Sequence, residues 1–99
     1  MFCKRTIIRD NILNGNKSGI NDSGTNTIVD SNTVTNNGLN ETFSFRGGIV
    51  LSLFAQGPVV TNNIAVGNGL NGDNNFVDLG SSGATVAGNI FEMQSLPSL

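Results

Sequence analysis

The sequence predicts an all-β solenoid of about four stacked coils, each with three short parallel strands. Three observations predict this fold class. One segment recurs four times, its apolar positions are spaced as in strands, and asparagine recurs at two fixed places in the segment. Self-similarity at a period of roughly 20 to 50 residues is typical of solenoids and repeat arrays. We expect a single repeat domain, or part of one, over residues 1–99.

The recurring segment aligns on one asparagine, which we call the anchor. Its four copies read TIIRDNILNGN, TIVDSNTVTNN, PVVTNNIAVGN and ATVAGNIFEMQ. The anchors are Asn11, Asn32, Asn63 and Asn89, spaced by 21, 31 and 26 residues. Because the spacing is unequal, the coils must differ in the length of their loops.

The first two strands of a coil lie on either side of the anchor. An apolar residue stands three positions before it in every copy, and another stands two positions after it. These columns are Ile8, Val29, Val60 and Val86, followed by Leu13, Val34, Ala65 and Phe91. Such short apolar stretches among turn residues favour strands of about three to five residues over helices. Stacked in parallel about 4.8 Å apart, their inward side chains would form aliphatic columns.

The third strand is predicted from GINDSG, GIVLSLF and FVDLGSSG, each of which precedes the next copy. We align these strands on a third apolar column, which comprises Ile20, Leu51 and Val77. The next residue in each strand then points outward, and these residues are Asn21, Ser52 and Asp78. Asp22 breaks the apolar pattern of the first coil, and the pattern alone does not decide whether it is buried.

Asparagine has two predicted roles. It tolerates the left-handed backbone that a sharp corner needs. Stacked asparagine side chains can also hydrogen-bond from one rung to the next, as in cross-β ladders. We expect one ladder through the anchors. A second ladder is expected at Asn16, Asn37 and Asn68, with Gln94 in the last copy.

The four copies and the three third-strand segments together resemble the right-handed parallel β-helix of the pectate-lyase-like superfamily, over nearly the whole chain. The resemblance implies a right-handed coil, an extracellular or cell-surface location, and a polysaccharide groove formed by loops beside the third sheet. It is more specific for fold than for function, since one scaffold of this kind hosts many functions.

Two inserted loops, residues 38–50 and 69–76, enter between the second and third strands. By the resemblance, these loops would line the groove. The candidate substrate contacts are Arg46, Glu41, Asp73 and Asp78, with Asn21 and Ser52 along the strand. An arginine can pair with a sugar carboxylate through two hydrogen bonds, and acidic residues can contribute oxygen ligands to Ca²⁺. The alternative interpretation is that these are solvated loop charges.

Composition excludes several function classes. Charged residues make up 12% of the chain and its net charge is -2, unlike a nucleic-acid-binding domain. No segment approaches the roughly 20 apolar residues of a membrane helix, and the first residues do not form a signal peptide. Without histidine, and with Cys3 as the only cysteine, the chain offers no Ser-His-Asp unit and no zinc site. We therefore assign no catalytic residue, and no cofactor beyond Ca²⁺.

We expect a piece of a secreted or surface β-helix protein that binds or processes polysaccharide, without activity of its own. If it belongs to an enzyme, that enzyme would be a polysaccharide lyase or a glycoside hydrolase. The alternative is a structural or adhesive solenoid spacer with no ligand. The repeat begins in mid-coil without an amphipathic cap, so we expect either a longer β-helix or end-to-end self-association.

Overall fold

A computed structural model describes residues 5–39, 47–70, 72 and 74–91, and all structural statements concern these residues. They form ten β-strands of three residues each and no helix. The strands are β1 (Ile7–Arg9), β2 (Ile12–Asn14), β3 (Ile20–Asp22), β4 (Ile28–Asp30), β5 (Thr33–Thr35), β6 (Ile49–Leu51), β7 (Val59–Thr61), β8 (Ile64–Val66), β9 (Phe76–Asp78) and β10 (Thr85–Ala87).

The strands pair in parallel to form three sheets, which we name by letter. Sheet A has the order β1-β4-β7-β10, sheet B has β2-β5-β8 and sheet C has β3-β6-β9. Consecutive strands belong to different sheets, and the chain returns to the same sheet one rung later. Ile90 continues sheet B through a single parallel bridge to Ile64. This topology confirms the prediction of an all-β parallel solenoid.

Left-handed backbone at the corners limits the length of the strands. Between sheets A and B, Asp10, Ser31 and Asn62 have φ angles of 58°, 59° and 56°, and Gly88 has 69° at the same place in the last rung. A residue in this conformation redirects an extended chain and ends the strand. The anchors themselves do not have left-handed φ angles, and each anchor directly follows the left-handed residue of its corner. The prediction that the anchors have left-handed backbone is therefore wrong, since the left-handed residue lies one position earlier.

The core consists of inward-facing aliphatic side chains stacked in columns. Its fully buried members are Val29, Val34, Ile49, Leu51, Val60 and Ala65. Burying a side chain of valine or leucine size stabilises a fold by about 1.5 to 3 kcal/mol. The columns are less covered towards their ends, where Ile8, Leu13 and Phe91 are partly buried. Phe91 stacks on Phe76 with ring centroids 4.9 Å apart.

The four anchors form a continuous hydrogen-bond ladder. The Nδ2 of Asn11, Asn32 and Asn63 donates to the Oδ1 of the next anchor at 3.0, 2.9 and 2.9 Å. The backbone N–H of each of these residues donates to the same oxygen. From Asn32 onward, Nδ2 also donates to a strand carbonyl of the preceding rung. Every buried amide in this ladder therefore has hydrogen-bond partners, as burial of a polar group requires.

A second ladder runs through Asn16, Asn37 and Asn68. The backbone N–H of Asn16 donates to Asn37 Oδ1, and both the backbone N–H and Nδ2 of Asn37 donate to Asn68 Oδ1. Asn68 donates in the same two ways to Asn75 Oδ1, at 2.9 and 3.0 Å. The ladder thus continues into the end of the second insertion, at a residue that the repeat alignment did not select. Gln94, which the alignment selected, lies outside the described residues.

Gly48 marks the point where sheet C approaches the second ladder. A Cβ atom at Gly48 would lie 2.5 Å from the backbone oxygen of Asn75 and 2.9 Å from Nδ2 of Asn68. Neither atom can retreat without breaking a rung contact, so only glycine fits here. Gly48, near the end of the first insertion, is therefore required by the packing between rungs.

The predicted alignment of sheet C is wrong. The observed register places Ile20 with Ile49 and Phe76, and Asp22 with Leu51 and Asp78. The prediction assumed a constant distance to the following strand of sheet A, but the connections differ in length. β3 ends at Asp22 and β4 begins at Ile28, whereas β6 ends at Leu51 and β7 begins only at Val59. The extra residues make a turn at Leu53 and Phe54, which the alignment placed in the strand.

Asp22 is a buried acidic residue at a position of sheet C that holds Leu51 in the second rung and Asp78 in the third. It is 5% exposed. Its Oδ1 accepts hydrogen bonds from the backbone N–H of Gly24 at 2.9 Å and from the hydroxyl of Thr27 at 2.7 Å. These bonds fix the turn into the second rung and offset part of the cost of burial. The column that holds Asp22, Leu51 and Asp78 therefore contributes only Leu51 to the apolar core.

Replacement of Asn63 by alanine tests the anchor ladder. Asn63 is 1% exposed, accepts two hydrogen bonds from Asn32, and donates to Asn89 and Val29. Each buried group left unsatisfied costs about 1 to 3 kcal/mol, so we expect Asn63→Ala to lower the free energy of unfolding by about 3 kcal/mol or more. Urea denaturation followed by circular dichroism measures the change.

The matched control is Asn21→Ala, which removes an exposed asparagine from β3. We expect its free energy of unfolding to change by less than about 0.5 kcal/mol, as for other surface positions. Equal effects of the two substitutions would contradict the role of the ladder.

Candidate functional site

The predicted substrate contacts divide into two groups. Glu41, Arg46 and Asp73 lie outside the described residues, so their assignment stays a prediction. Asn21, Ser52 and Asp78 are described. They do not form the predicted outward row, because Asn21 is level with Val50 and Val77 in the register of sheet C.

Asn21 and Ser52 have separate local partners. Asn21 Oδ1 accepts a hydrogen bond from the hydroxyl of Ser18 at 3.2 Å. The hydroxyl of Ser52 lies 2.8 Å from that of Ser23 and accepts from the backbone N–H of Phe54 at 3.1 Å. Ser52 therefore takes part in the turn that follows β6, and the two side chains are not part of one cluster.

Asp78 closes the turn after β9. One carboxylate oxygen accepts from the backbone N–H groups of Gly80 and Ser81, at 3.0 and 2.8 Å, and the other accepts from the hydroxyl of Ser81 at 2.9 Å. The backbone hydrogen bond from Ser81, followed by that from Gly80, lowers the pKa of the Asp78 carboxyl below its ordinary value. The Asp78 carboxylate, a predicted substrate contact, thus accepts three hydrogen bonds within its own turn.

Two further observations concern metals and membranes. Within the ranges that the structure describes, no three acidic, cysteine or histidine side chains come together as a metal site. The predicted Ca²⁺ ligands in the loops fall outside those ranges, so calcium binding stays a prediction. The described part of the chain also contains no helix with the length and apolar character to cross a membrane.

The outward face of sheet A carries a groove of about 500 Å³, which we call the sheet A groove. It is lined by Arg5, Ile7, Asn26, Ile28, Gly57 and Val59. These residues occupy the same two positions in three successive rungs. The groove therefore runs along the axis of the solenoid, across the strands.

One side of the sheet A groove is a row of corner residues. Arg5, Asn26 and Gly57 have φ angles of 59°, 57° and 61°, and their backbone N–H groups donate to carbonyls of the following rung at 2.7 to 3.0 Å. A Cβ atom at Gly57 would lie 2.5 Å from Oδ1 of Asn26. The amide of Asn26 therefore lies over Gly57, and glycine is needed there to leave room for it.

The floor of the sheet A groove is aliphatic. Ile7, Ile28 and Val59 are paired in register on β1, β4 and β7, so their side chains repeat at the strand spacing of about 4.8 Å. Ile7 is 57% exposed, and the other two are partly buried. The result is an apolar strip beside a polar row, which is a common composition for a small binding site.

Arg5 is a cation without an acidic partner at the first-rung end of this groove. Among the residues that the structure describes, no carboxylate lies within ion-pair distance of it. Arg9, by contrast, pairs with Asp10 at 3.4 Å. That exposed pair contributes about 0 to 1 kcal/mol. Within the described ranges, the guanidinium of Arg5 is therefore a positive group on this face that is available to a ligand.

Asp30 ties two rungs together beside the groove. Its Oδ1 accepts from the hydroxyl of Thr61 at 2.7 Å and from Nδ2 of Asn62 at 3.1 Å, and its Oδ2 accepts from the hydroxyl of Ser31 at 2.9 Å. The Thr61 hydrogen bond, followed by those from Ser31 and Asn62, lowers the pKa of Asp30 below its ordinary value. This carboxylate therefore acts within the scaffold and makes no ion pair with Arg5.

Adjacent apolar residues in the repeat are a sequence signal for the groove. The first three copies of the repeat have two adjacent apolar residues, in TIIRDN, TIVDSN and PVVTNN. Side chains of adjacent strand residues point to opposite faces, so one of each pair must face outward. The fourth copy has Thr85 at the outward position, which interrupts the aliphatic row.

Acid titration tests the role of Asp30 and Asp78. Because folding lowers both pKa values, their contribution to stability is present above the unfolded value near 3.8 and is lost as pH falls through the folded values. We expect the free energy of unfolding to fall below about pH 4, and to fall less steeply in Asp30→Asn and Asp78→Asn. Urea denaturation at a series of pH values measures it. If neither substitution changes how steeply the free energy of unfolding falls with pH, Asp30 and Asp78 do not have this stabilising role.

No protein-family model, no curated protein and no solved structure matches the chain. Functional inference therefore depends on the groove, the ladders and the surface of the solenoid itself.

Proposed function

We propose that this chain is a glycan-binding segment of a secreted or cell-surface β-helix protein, right-handed and of the pectate-lyase-like kind. In this proposal an extended acidic polysaccharide lies along the sheet A groove. The observation that carries the proposal is Arg5, which has no acidic partner among the described residues and lies at the end of a groove with a regular aliphatic floor.

The chemistry of the groove suits such a ligand. A guanidinium group binds a carboxylate through two parallel hydrogen bonds, which suits a uronic acid. The amide of Asn26 can both donate to and accept from sugar hydroxyls. The strip formed by Ile7, Ile28 and Val59 can pack against the C–H faces of sugar rings. A polymer of repeating units also suits a floor whose side chains repeat at every rung.

We propose binding rather than cleavage for this segment. The chain has no histidine, and the carboxylates of Asp30 and Asp78 are engaged in hydrogen bonds within the scaffold. Neither carboxylate lines the sheet A groove. The two insertions, with Glu41, Arg46 and Asp73, remain a second candidate contact region, and the same experiment can separate it from the groove.

A structural or adhesive spacer is the second candidate function. It is favoured by the way outward polar groups satisfy one another between rungs, as in Asn14 with Thr35 and Asp30 with Thr61. Such pairs stiffen a rod and need no ligand. In this case the sheet A groove would be empty surface, and the chain would not bind glycans.

Calorimetric titration with polygalacturonate distinguishes the two functions. We expect the wild-type chain to bind, and Arg5→Ala to weaken binding by about tenfold or more, since a hydrogen bond to a charged group contributes about 1.5 to 3 kcal/mol. Methyl-esterified polygalacturonate, which lacks the carboxylate charge, should bind more weakly to the wild-type chain. Added salt should reduce the difference between the two polymers.

Arg9→Ala is the matched control, because it removes the same charge from the same rung but outside the groove. Its affinity should stay close to that of the wild-type chain. Equal losses in the two variants would mean nonspecific charge attraction and would overturn the proposed site. A loss confined to Arg46→Ala would move the site to the inserted loops, and absence of wild-type binding would favour the spacer.

A further inference from the structure

We infer that two copies of this chain stack end to end, with the first rung of one copy placed on the last described rung of the other so that the anchor ladder continues between them. This inference concerns a different surface from the sheet A groove and does not depend on glycan binding. It follows from the direction of the ladder and from the exposure of its two ends.

The anchor ladder has a direction. At each interior step, the earlier asparagine donates through its backbone N–H and Nδ2 to Oδ1 of the later one, as from Asn32 to Asn63. The later asparagine returns one Nδ2 hydrogen bond to the inward-facing residue of the preceding rung, as from Asn63 to the carbonyl of Val29. A complete step therefore consists of three hydrogen bonds with a fixed order of donors and acceptors.

The first end of the ladder presents an acceptor. Asn11 is exposed, and no donor from the described part of the chain reaches its Oδ1. Its Nδ2 donates to Asn32 but makes no second bond like those of Asn32 and Asn63. Among the described residues, no rung precedes Asn11 to complete its set of contacts.

The other end presents the matching donors. Asn89 Nδ2 donates to the carbonyl of Val60, and its backbone N–H has no acceptor among the described residues. The core is also open here. Val86 belongs to the same inward column as the fully buried Val29 and Val60, yet it is 42% exposed. An exposed strand edge with an exposed apolar column favours the addition of another strand.

The two ends fit each other in a single register. With β1 of one copy placed on β10 of the other, Ile8 covers Val86 and Arg9 lies over the small Ala87. Asn89 then donates twice to the free Oδ1 of Asn11, and the second Nδ2 hydrogen of Asn11 reaches the carbonyl of Val86. The three bonds of an interior step are thereby restored. Because the two surfaces are different, the contact is head to tail, and repeated addition gives an open-ended rod.

The experiment blocks one end at a time and then mixes the blocked chains. Val86→Lys places a charge on the exposed end of the core column at the last rung, and Ile8→Lys does the same at the first rung. Sedimentation velocity between about 1 μM and 1 mM, the range of weak to moderate affinity, reports the size distribution. Circular dichroism confirms that each variant keeps the β-rich spectrum of the wild-type chain.

We expect the wild-type chain to grow in size with concentration and each variant alone to stay monomeric. An equimolar mixture of the two variants should form a dimer and nothing larger, because each supplies the end that the other lacks. A wild-type chain that stays monomeric throughout would overturn the inference. Variants that still self-associate would also overturn it, since they would indicate a lateral contact.

Asn11→Ala is a second variant, directed at the ladder alone. It removes the free acceptor, while Asn32 Oδ1 still accepts from the backbone N–H of residue 11. We expect the association constant to fall by about tenfold or more, since three intermolecular hydrogen bonds are lost. If a lysine variant fails to fold, this variant provides the test. An unchanged association constant would show that the ladder does not continue between copies.

Discussion

Hydrogen bonds between stacked asparagine amides are the interaction on which this solenoid depends. Each anchor enters the interior at a corner, where the backbone N–H of the same residue would otherwise lack an acceptor. The Oδ1 of the next rung provides one, and Nδ2 binds a strand carbonyl of the rung before. Because the amides of Asn32 and Asn63 contact the rungs on both sides, the ladder fixes the rung spacing and the register of the sheets beside it. The apolar columns then pack in a register that the polar side chains have set.

The three sheets differ in how closely a ladder constrains them. Sheets A and B flank the anchor ladder, and their strands keep the spacing of the recurring segment in every rung. Sheet C follows the second ladder after insertions of different length, and it precedes connections of different length to sheet A. The variation is confined to the corners on either side of sheet C. Sheet A therefore provides the regular surface on which a groove along the axis can form.

This difference also explains how much the sequence could predict. The anchors and their flanking apolar columns are close together in sequence, and they give the strands of sheets A and B in the register observed. The predicted alignment of sheet C is wrong because the turn at Leu53 and Phe54 lengthens the connection between β6 and β7. No local sequence pattern shows that these two residues belong to a turn and not to the strand. Asn75 joins the second ladder through folding of the inserted segment. The sheet A groove is formed by outward-facing residues, whereas the aligned apolar columns describe only the inward face of each strand. Predicting the groove therefore requires both faces of each strand.

The dependence of each rung on its neighbours also has a consequence for the order of local unfolding. Among the described rungs, those that contain Asn32 and Asn63 have a neighbour on both sides, whereas the rung of Asn11 has a neighbour on one side only. In a stack with nearest-neighbour coupling, partial opening is least costly at the ends and proceeds inward. Amide hydrogens of the inner strands should thus exchange with solvent far more slowly than those of β1 or β10. The chain then behaves as a graded series of opening units, with its most persistent structure around the central pair of anchors.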